Sequence, residues 1–396
     1  MWGYIKMNIV KKVVRKIMIT PLEKIVYKFY KLIYSVDPNL IVFETEGDYW
    51  DNGRVFYEYL VENGYNDKYK IVWFVHEPEK YKKQKNVEFV SRFGYGINFK
   101  AQKVLAQGHC FLFTHPWWFI NRREGQVVIN LTHSTMQLKA GGSIDVSNSF
   151  DYILCASEEA KKIKRITYHA KEQQMIILGM PRNDLLFKKV NINKLIEKYN
   201  GEKIVMSMVT FKQSYNNVDS RKSDLYSLNV VNTESEMNEL NTFLKQNDII
   251  LVIKIHHLQD ISFLRRGQYT NIYYFQDSDL EKSDIQLYEL LGHSDALLTD
   301  YSSVFYDYLF VNRPIGFLID DLSNYERGFC VENPLEAMPG PKIYNVEQLM
   351  SFMKNVINGE DDYKQVRENM LNEVHYYKRN HCERLLHWLE DNVFTQ

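Results

Sequence analysis

From about residue 40 onward, short apolar runs alternate with amphipathic stretches, and they do so in two series. In the first, LIVFE, KIVWFV, VEFVS, KVLAQG, CFLFT, VVINLTH, DYILCAS and MIILGMP read as strands or strand ends. GRVFYEYLVENG, NFKAQKVLA and SEEAKKIKRITYH read as helices between them. After about residue 190 the pattern restarts. KIVMSMVTF, IILVIKIHH, NIYYFQ, DALLTD and PIGFLID are the strands, and SEMNELNTFLKQN, IQLYELLGH and SSVFYDYLFVN the helices. A strand that is apolar at nearly every position is buried on both faces, which requires a parallel sheet covered by helices on each side. The chain is therefore expected to be an α/β protein of two Rossmann-like, doubly wound domains facing a cleft. Ligand would sit between them, near the carboxyl ends of the strands. The expected divisions are an arm over 1–36, an N-terminal domain over 37–190 and a C-terminal domain over 191–396 whose last helices pack back. With 396 residues, 45% of them hydrophobic, the chain is long enough for two cores.

The arm differs in charge from the rest. It carries Lys6, Lys11, Lys12, Arg15, Lys16, Lys24, Lys28 and Lys31 against the single acid Glu23, while the whole chain has a net charge of −1. The apolar pairs Ile9–Val10, Val13–Val14 and Ile17–Met18 alternate with Lys11–Lys12 and Arg15–Lys16, giving a helix one greasy and one cationic face. TPLE, Thr20 to Glu23, resembles a capping box with proline in the first turn, the start of a second helix. Such a segment suits the surface of an anionic membrane. A helix packed on the body with solvated lysines is the other reading. No apolar run of about 18 residues is present for a spanning helix, and the N-terminus lacks the apolar core and cleavage site of a secretory signal. The near-zero net charge gives no reason to expect nucleic acid. Cys110, Cys155, Cys330 and Cys382 lie far apart with no CxxC pair, as expected of reduced thiols in a cytoplasmic protein.

Four motifs fall where strands end. TDYSS places Thr299, Asp300, Ser302 and Ser303 between an apolar strand and a helix. The serines either cap the helix or, with its unpaired N–H groups, hold a diphosphate. KIHH, ending the run IILVI, puts Lys254 and His256 toward the cleft, as phosphate ligands or as loop residues without a role. NLTHSTMQLKAGG places His133 just after a strand, either as a base for an alcohol proton or as a buried, hydrogen-bonded imidazole. LGMPRND turns at Gly179 and Pro181 and leads into Arg182 and Asn183 at the domain junction. DSD, Asp277 to Asp279, matches a metal triplet in form but reads as a solvated turn. P-loop, GxGxxG, HExxH and GxSxG patterns are all missing, so no metal and no bound cofactor is expected.

These motifs, in this order, resemble the CDP-glycerol glycerophosphotransferase family of teichoic acid synthesis. DIQLYELLGHSDALLTDYSSVFYDYLFVNRPIGFLIDDLSNYERGF followed by MPGP is similar to the family's C-terminal half. GMPRND resembles its G-x-P-R-N-D turn, KIH its K-L-H-P, VTFK (Val209 to Lys212) its P-T-W-R, and FETEGDYWDNGRVFYEYL its start. THSTMQLKAG departs from W-H-G-T-P-L-K-K-x-G. His133, Thr135, Lys139 and Gly141 match it; Thr132, Ser134, Met136, Gln137 and Leu138 do not. His257 replaces a proline, and NHCER replaces D-G-x-x-x-R. The resemblance implies a glycosyltransferase-B-like fold. It implies CDP-glycerol in the C-terminal domain, with its diphosphate at Ser302 and Ser303 beside Thr299 and Asp300, helped by His256 and Lys254. Arg182, Asn183 and Thr210 would lie near the nucleotide, and Thr135 and Lys139 on the acceptor side. His133 would deprotonate an acceptor hydroxyl on a membrane-lipid-linked glycan. The enzyme would sit peripherally on the cytoplasmic face of the bacterial membrane, as a monomer or homo-oligomer. Its size favours a primase or a capsule-type decorating enzyme over a long-chain polymerase. CDP-ribitol or a nucleotide sugar as donor, and an inactive nucleotide-binding paralogue, are the alternatives.

Overall fold

The computed structural model describes residues 19–92, 96–114, 122–138, 145–197, 199–210, 226–255, 269–319 and 328–394. Among these residues the chain builds two sheets, and every pairing between their strands is parallel. The first contains β1 (Leu40–Glu44), β2 (Lys70–Val75), β3 (Val87–Ser91), β4 (Cys110–Phe113), β5 (Val127–Asn130), β6 (Tyr152–Cys155) and β7 (Met175–Ile177) in the order β3-β2-β1-β4-β5-β6-β7. The second contains β8 (Lys203–Met208), β9 (Ile249–Lys254), β10 (Ile272–Phe275), β11 (Ala296–Thr299), β12 (Ile315–Leu318) and β13 (Lys342–Ile343) in the order β10-β9-β8-β11-β12-β13. Strand order reverses between β1 and β4 in one sheet and between β8 and β11 in the other. These are the switch points at which doubly wound sheets open a crevice.

The helices are α1 (Thr20–Ile33), α2 (Asp51–Glu62), α3 (Tyr65–Lys68), α4 (Phe99–Gln107), α5 (Glu158–Tyr168), α6 (Glu234–Gln246), α7 (Asp277–Lys282), α8 (Leu287–His293), α9 (Val304–Tyr308), α10 (Val346–Asn358), α11 (Lys364–Val374) and α12 (His381–Asn392). Some of their starts follow side-chain chemistry. Asn98 and Ser157 accept from the backbone N–H groups of Ala101 and Ala160, and Thr233 closes a capping box with Glu236.

Several expectations need correction. KVLAQG is the end of α4, because Asn98 caps a helix that runs to Gln107. SSVFYDYLFVN yields only the five residues of α9 before the chain turns into β12. TPLE forms no capping box: Ile19 is already helical and Thr20 lies inside α1. Asp277 and Asp279 open α7, where Asp277 pairs with Lys254 at 2.7 Å and Asp279 accepts from Gln276 N. Residues 1–18 lie outside the described residues.

The chain passes between the sheets at the Gly179–Phe187 turn. Gly179 has φ +79° and faces the His381 ring, so a side chain there has neither the backbone geometry nor the room. The helical turn Pro181–Phe187 then packs against α2, α8 and α12. Gly292 of α8 lies directly on the Leu186 backbone, where a Cβ would collide. The last helix returns to the first sheet. Asp184 accepts from His381 N and Cys382 N, Trp388 meets Tyr152 edge-on, and Val393 O accepts from buried His109.

Candidate active site

The strand ends at the second switch point are stitched together by two of the TDYSS side chains. Thr299 Oγ1 donates to Met208 O at 2.9 Å. The fully buried Asp300 accepts from Thr210 N and Thr210 Oγ1, both at 2.9 Å, and from Ser302 N at 3.0 Å. Asp300 thus ties the exits of β8 and β11 and shapes the loop rather than facing solvent. Ser302 and Ser303 are half-buried, and neither hydroxyl has a partner among the described residues. Ser303 occupies the N-cap position of α9 without making the side-chain cap, so the capping alternative does not form. Lys254 is committed elsewhere: its ammonium binds Asp277 and Ile255 O, with the side chain 8% exposed. His256 and Lys139 lie outside the described residues.

Across the cleft, His133 sits on a turn that follows β5. Every residue from Leu131 to Met136 is buried except His133, which is exposed. Thr132 has φ +47°, a left-handed conformation that is costly for a β-branched residue and persists only where surroundings enforce it. Those surroundings are specific. Asn52 donates from Nδ2 to Leu131 O (3.1 Å) and Thr132 O (2.7 Å), and Asn130 Oδ1 accepts from Thr132 N at 2.8 Å. The buried Lys164 of α5 donates to Thr132 Oγ1, Ser134 O and Ser134 Oγ.

Arg182 joins this turn to the other domain. Its guanidinium donates to Asp51 Oδ1 at 2.9 Å, to His133 O at 2.8 Å and to Asp307 Oδ2 at 2.7 Å, and lies over the Tyr288 ring at 4.8 Å. Asp307 also accepts from Tyr288 Oη (2.6 Å) and from Thr135 Oγ1. Leu138 O accepts from Cys330 N at 2.8 Å, a second tie across the cleft. Burial pushes the Asp307 carboxyl upward, but Arg182 and the Thr135 and Tyr288 hydroxyls outweigh it and hold it below the usual carboxylate range. The same carboxylates keep Arg182 a cation despite its burial.

The expected site residues therefore fall into two groups. His133 is exposed, and Ser302 and Ser303 are half-buried. Thr299, Asp300, Thr210, Lys254, Arg182 and Thr135 are engaged in contacts that set the shape of the strand ends and the His133 turn. Arg182, expected beside the nucleotide, has its guanidinium spent on two carboxylates and a carbonyl. Asn183 is fully buried, with both amide atoms lacking a partner among the described residues. Asp51, Asn52, Lys164, Tyr288 and Asp307 were not foreseen. Each lies in a stretch read above only for its helix or its family likeness, and acts through a contact more than 15 residues away along the chain.

Thr135 contacts Asp307, four residues into α9 from Ser303, which is about 6 Å along a helix. The His133 turn and the serine-headed helix are thereby one packed unit. The family model for CDP-glycerol:poly(glycerophosphate) glycerophosphotransferase matches residues 26–389, and the chain belongs to that family. It is 25% identical to the teichoic acid glycerol-phosphate transferase of Staphylococcus aureus, over 90% of this chain and 93% of that protein. It is 26% identical to the teichoic acid glycerol-phosphate primase of Bacillus subtilis, over 74% of each. A teichoic acid poly(glycerol phosphate) polymerase of Staphylococcus epidermidis is 24% identical over 84% of this chain, and the chain spans about half (47%) of its length. The structure of the wall teichoic acid polymerase TagF, in a histidine-to-asparagine variant soaked with CDPG, has the same fold, with TM-score 0.77, 21% identity and 99% of both chains covered. Among the described residues no helix is long and apolar enough to cross a membrane, and no group of three or more His, Cys, Asp or Glu residues is placed to hold a metal ion.

Proposed function

We propose that this chain transfers glycerol phosphate from CDP-glycerol to a hydroxyl of a membrane-lipid-linked glycan, in teichoic acid or related surface-polymer synthesis. The observation that carries the reading is the packing of the exposed His133, through Thr135 and Asp307, onto the helix headed by Ser302 and Ser303. In this reading the serine hydroxyls and the N–H groups at the head of α9 hold the diphosphate. His133 takes the proton from the acceptor hydroxyl. The acceptor oxygen attacks the phosphorus next to glycerol, the bond from that phosphorus to the bridging oxygen breaks, and CMP departs with the electron pair. Such a transfer asks mainly for positioning, charge stabilisation and one base.

The direct test is release of CMP from CDP-glycerol in the presence of a lipid-linked acceptor. CDP compounds should also raise the unfolding temperature where UDP and GDP compounds do not. A larger stabilisation by CDP-ribitol or by a UDP-sugar would reassign the donor. Ser302→Ala with Ser303→Ala should raise KM for CDP-glycerol about tenfold or more, the worth of a hydrogen bond to a charged group. An unchanged KM would move the diphosphate away from this helix.

The membrane side of the proposal rests on α1. Leu22, Ile25, Phe29, Leu32 and Ile33 are all exposed, Leu32 at 85%, and at about 100° per residue they share one face. Lys24, Lys28 and Lys31 lie along one edge of that stripe. Buried Glu23 turns the opposite side toward α4, accepting from Asn98 N. A helix held to the body on one side, with a greasy stripe and lysines outward, suits an anionic lipid surface. Ile25→Glu with Leu32→Glu should weaken binding to vesicles containing anionic lipid at least tenfold, because each side chain contributes about 1.5–3 kcal/mol when buried. Equal binding by the variant would return α1 to a solvent-facing helix.

A further inference from the structure

Lys164 has a surrounding that ordinary core packing does not explain. It is fully buried, and among the described residues no carboxylate lies within ion-pair distance of its ammonium. A protonated lysine has three N–H donors. Here they meet three acceptors, Thr132 Oγ1 at 2.9 Å, Ser134 O at 2.8 Å and Ser134 Oγ at 3.3 Å. All three acceptors flank His133 on its two sides. Thr132 and Ser134 are also two of the positions at which the chain departs from the W-H-G-T pattern. A buried ammonium without a counter-ion is costly unless its hydrogen bonds are complete, so this geometry is matched to the charged form.

We infer that Lys164 is a positioning residue for the transfer reaction, holding the left-handed Thr132 turn so that His133 is presented to the cleft. The inference rests on the proposed role of His133. Groups facing the ammonium from other elements are the Cys155 thiol of β6, the Arg182 guanidinium and the Asp307 carboxylate, and from its own helix the Tyr168 ring at 5.2 Å. Burial is the largest influence among them and brings the lysine down to about 8. Above that pH the amine keeps two donors for three acceptors.

The test compares the wild type with Lys164→Met and with Thr132→Val, a milder change that removes one acceptor and retains the β-branched shape. All are full-length proteins, with folding checked by thermal unfolding. Lys164→Met should lower kcat for CMP release at least tenfold with KM for CDP-glycerol changed less than twofold, and Thr132→Val should lower kcat three- to tenfold. The wild type should lose kcat above about pH 8, a limb missing in Lys164→Met. A second readout does not need activity. The ring C–H resonance of His133 in histidine-labelled protein, assigned with His133→Ala, should shift in both variants while that of His109 stays in place. If both variants retain the His133 resonance and kcat within twofold, the inference is overturned. If Lys164→Met fails to fold, Thr132→Val decides by the same criteria. If the wild type releases no CMP from CDP-glycerol, the donor assignment fails, and the His133 resonance still decides the role of Lys164.

Discussion

His133→Ala is expected to reduce CMP release by about 10²–10⁴-fold, the usual contribution of a positioned general base, with little change in binding of CDP-glycerol. The expectation follows from where the side chain stands. His133 is the exposed member of a turn whose other residues, from Leu131 to Met136, are buried and held by Asn52, Lys164 and Arg182. Alanine removes the imidazole and none of those contacts, so the turn should keep its shape and the fold its stability. The donor is assigned to the other domain, so loss should appear in kcat and not in KM for CDP-glycerol. Steady-state rates with a lipid-linked acceptor, beside calorimetric titration with CDP-glycerol, separate the two. Full activity in His133→Ala would remove the base assignment and leave the acceptor proton to another group.

Arg182→Met is expected to destabilise the protein by about 3–5 kcal/mol, the cost of removing one partner from a buried ion cluster. The guanidinium is the contact shared by Asp51, Asp307 and the His133 carbonyl, with side-chain exposures of 8%, 13% and 0% for Arg182, Asp51 and Asp307. Methionine fills part of the volume but leaves two buried carboxylates without their cation. Arg182→Lys should recover little, because a single ammonium does not reproduce the planar fork that reaches three separate acceptors. The pH dependence has a defined sign. Asp307 is held below its ordinary value, so its contribution is complete above the unfolded carboxylate range near pH 4 and is lost as pH falls through the lower folded value. His375, 1% exposed and donating from Nε2 to Tyr306 O, is pushed down by burial to about 4. It stays neutral in the fold while the unfolded chain takes up a proton below about 6.5, which removes on the order of 3 kcal/mol between pH 6.5 and 4. Urea unfolding from pH 7 down to about 2 should show stability rising with pH for both groups, His375 acting between 6.5 and 4 and Asp307 below about 4. Arg182→Met should lack the Asp307 component and keep that of His375. Stability within 1 kcal/mol of wild type would mean that the cluster does not hold the domains together.

Most of the architecture was legible because buried parallel strands leave a local mark. LIVFE, KIVWFV and IILVIK are apolar at nearly every position and form strands at those places, and VEFVS, with Glu88 and Ser91 among its five residues, forms the edge strand. The misreadings occurred where a local signal had two solutions. KVLAQG has the apolar density of a strand end, and the cap at Asn98 decides for helix. TPLE has the letters of a capping box, and helical backbone already present at Ile19 decides against it. At the site, TDYSS and THST were visible because chemistry-bearing residues cluster at strand ends. The division of labour within them was not. Asp300 binds Thr210, 90 residues earlier, and Thr135 binds Asp307, 172 residues later.

Two parallel α/β sheets, the strand ends at which the site would lie, and the likeness to the family are all written in local pattern. Hydrophobic periodicity and runs of neighbouring polar residues are local properties, and they survive in one dimension. Which polar side chains stay accessible and which are consumed in holding the strand ends depends on contacts made in three dimensions. Buried donors and charges must be satisfied wherever their partners happen to fall in the chain. Arg182, Asp307, Lys164 and Asn52 came from four separate segments to meet that requirement, and His133 was left facing outward among them.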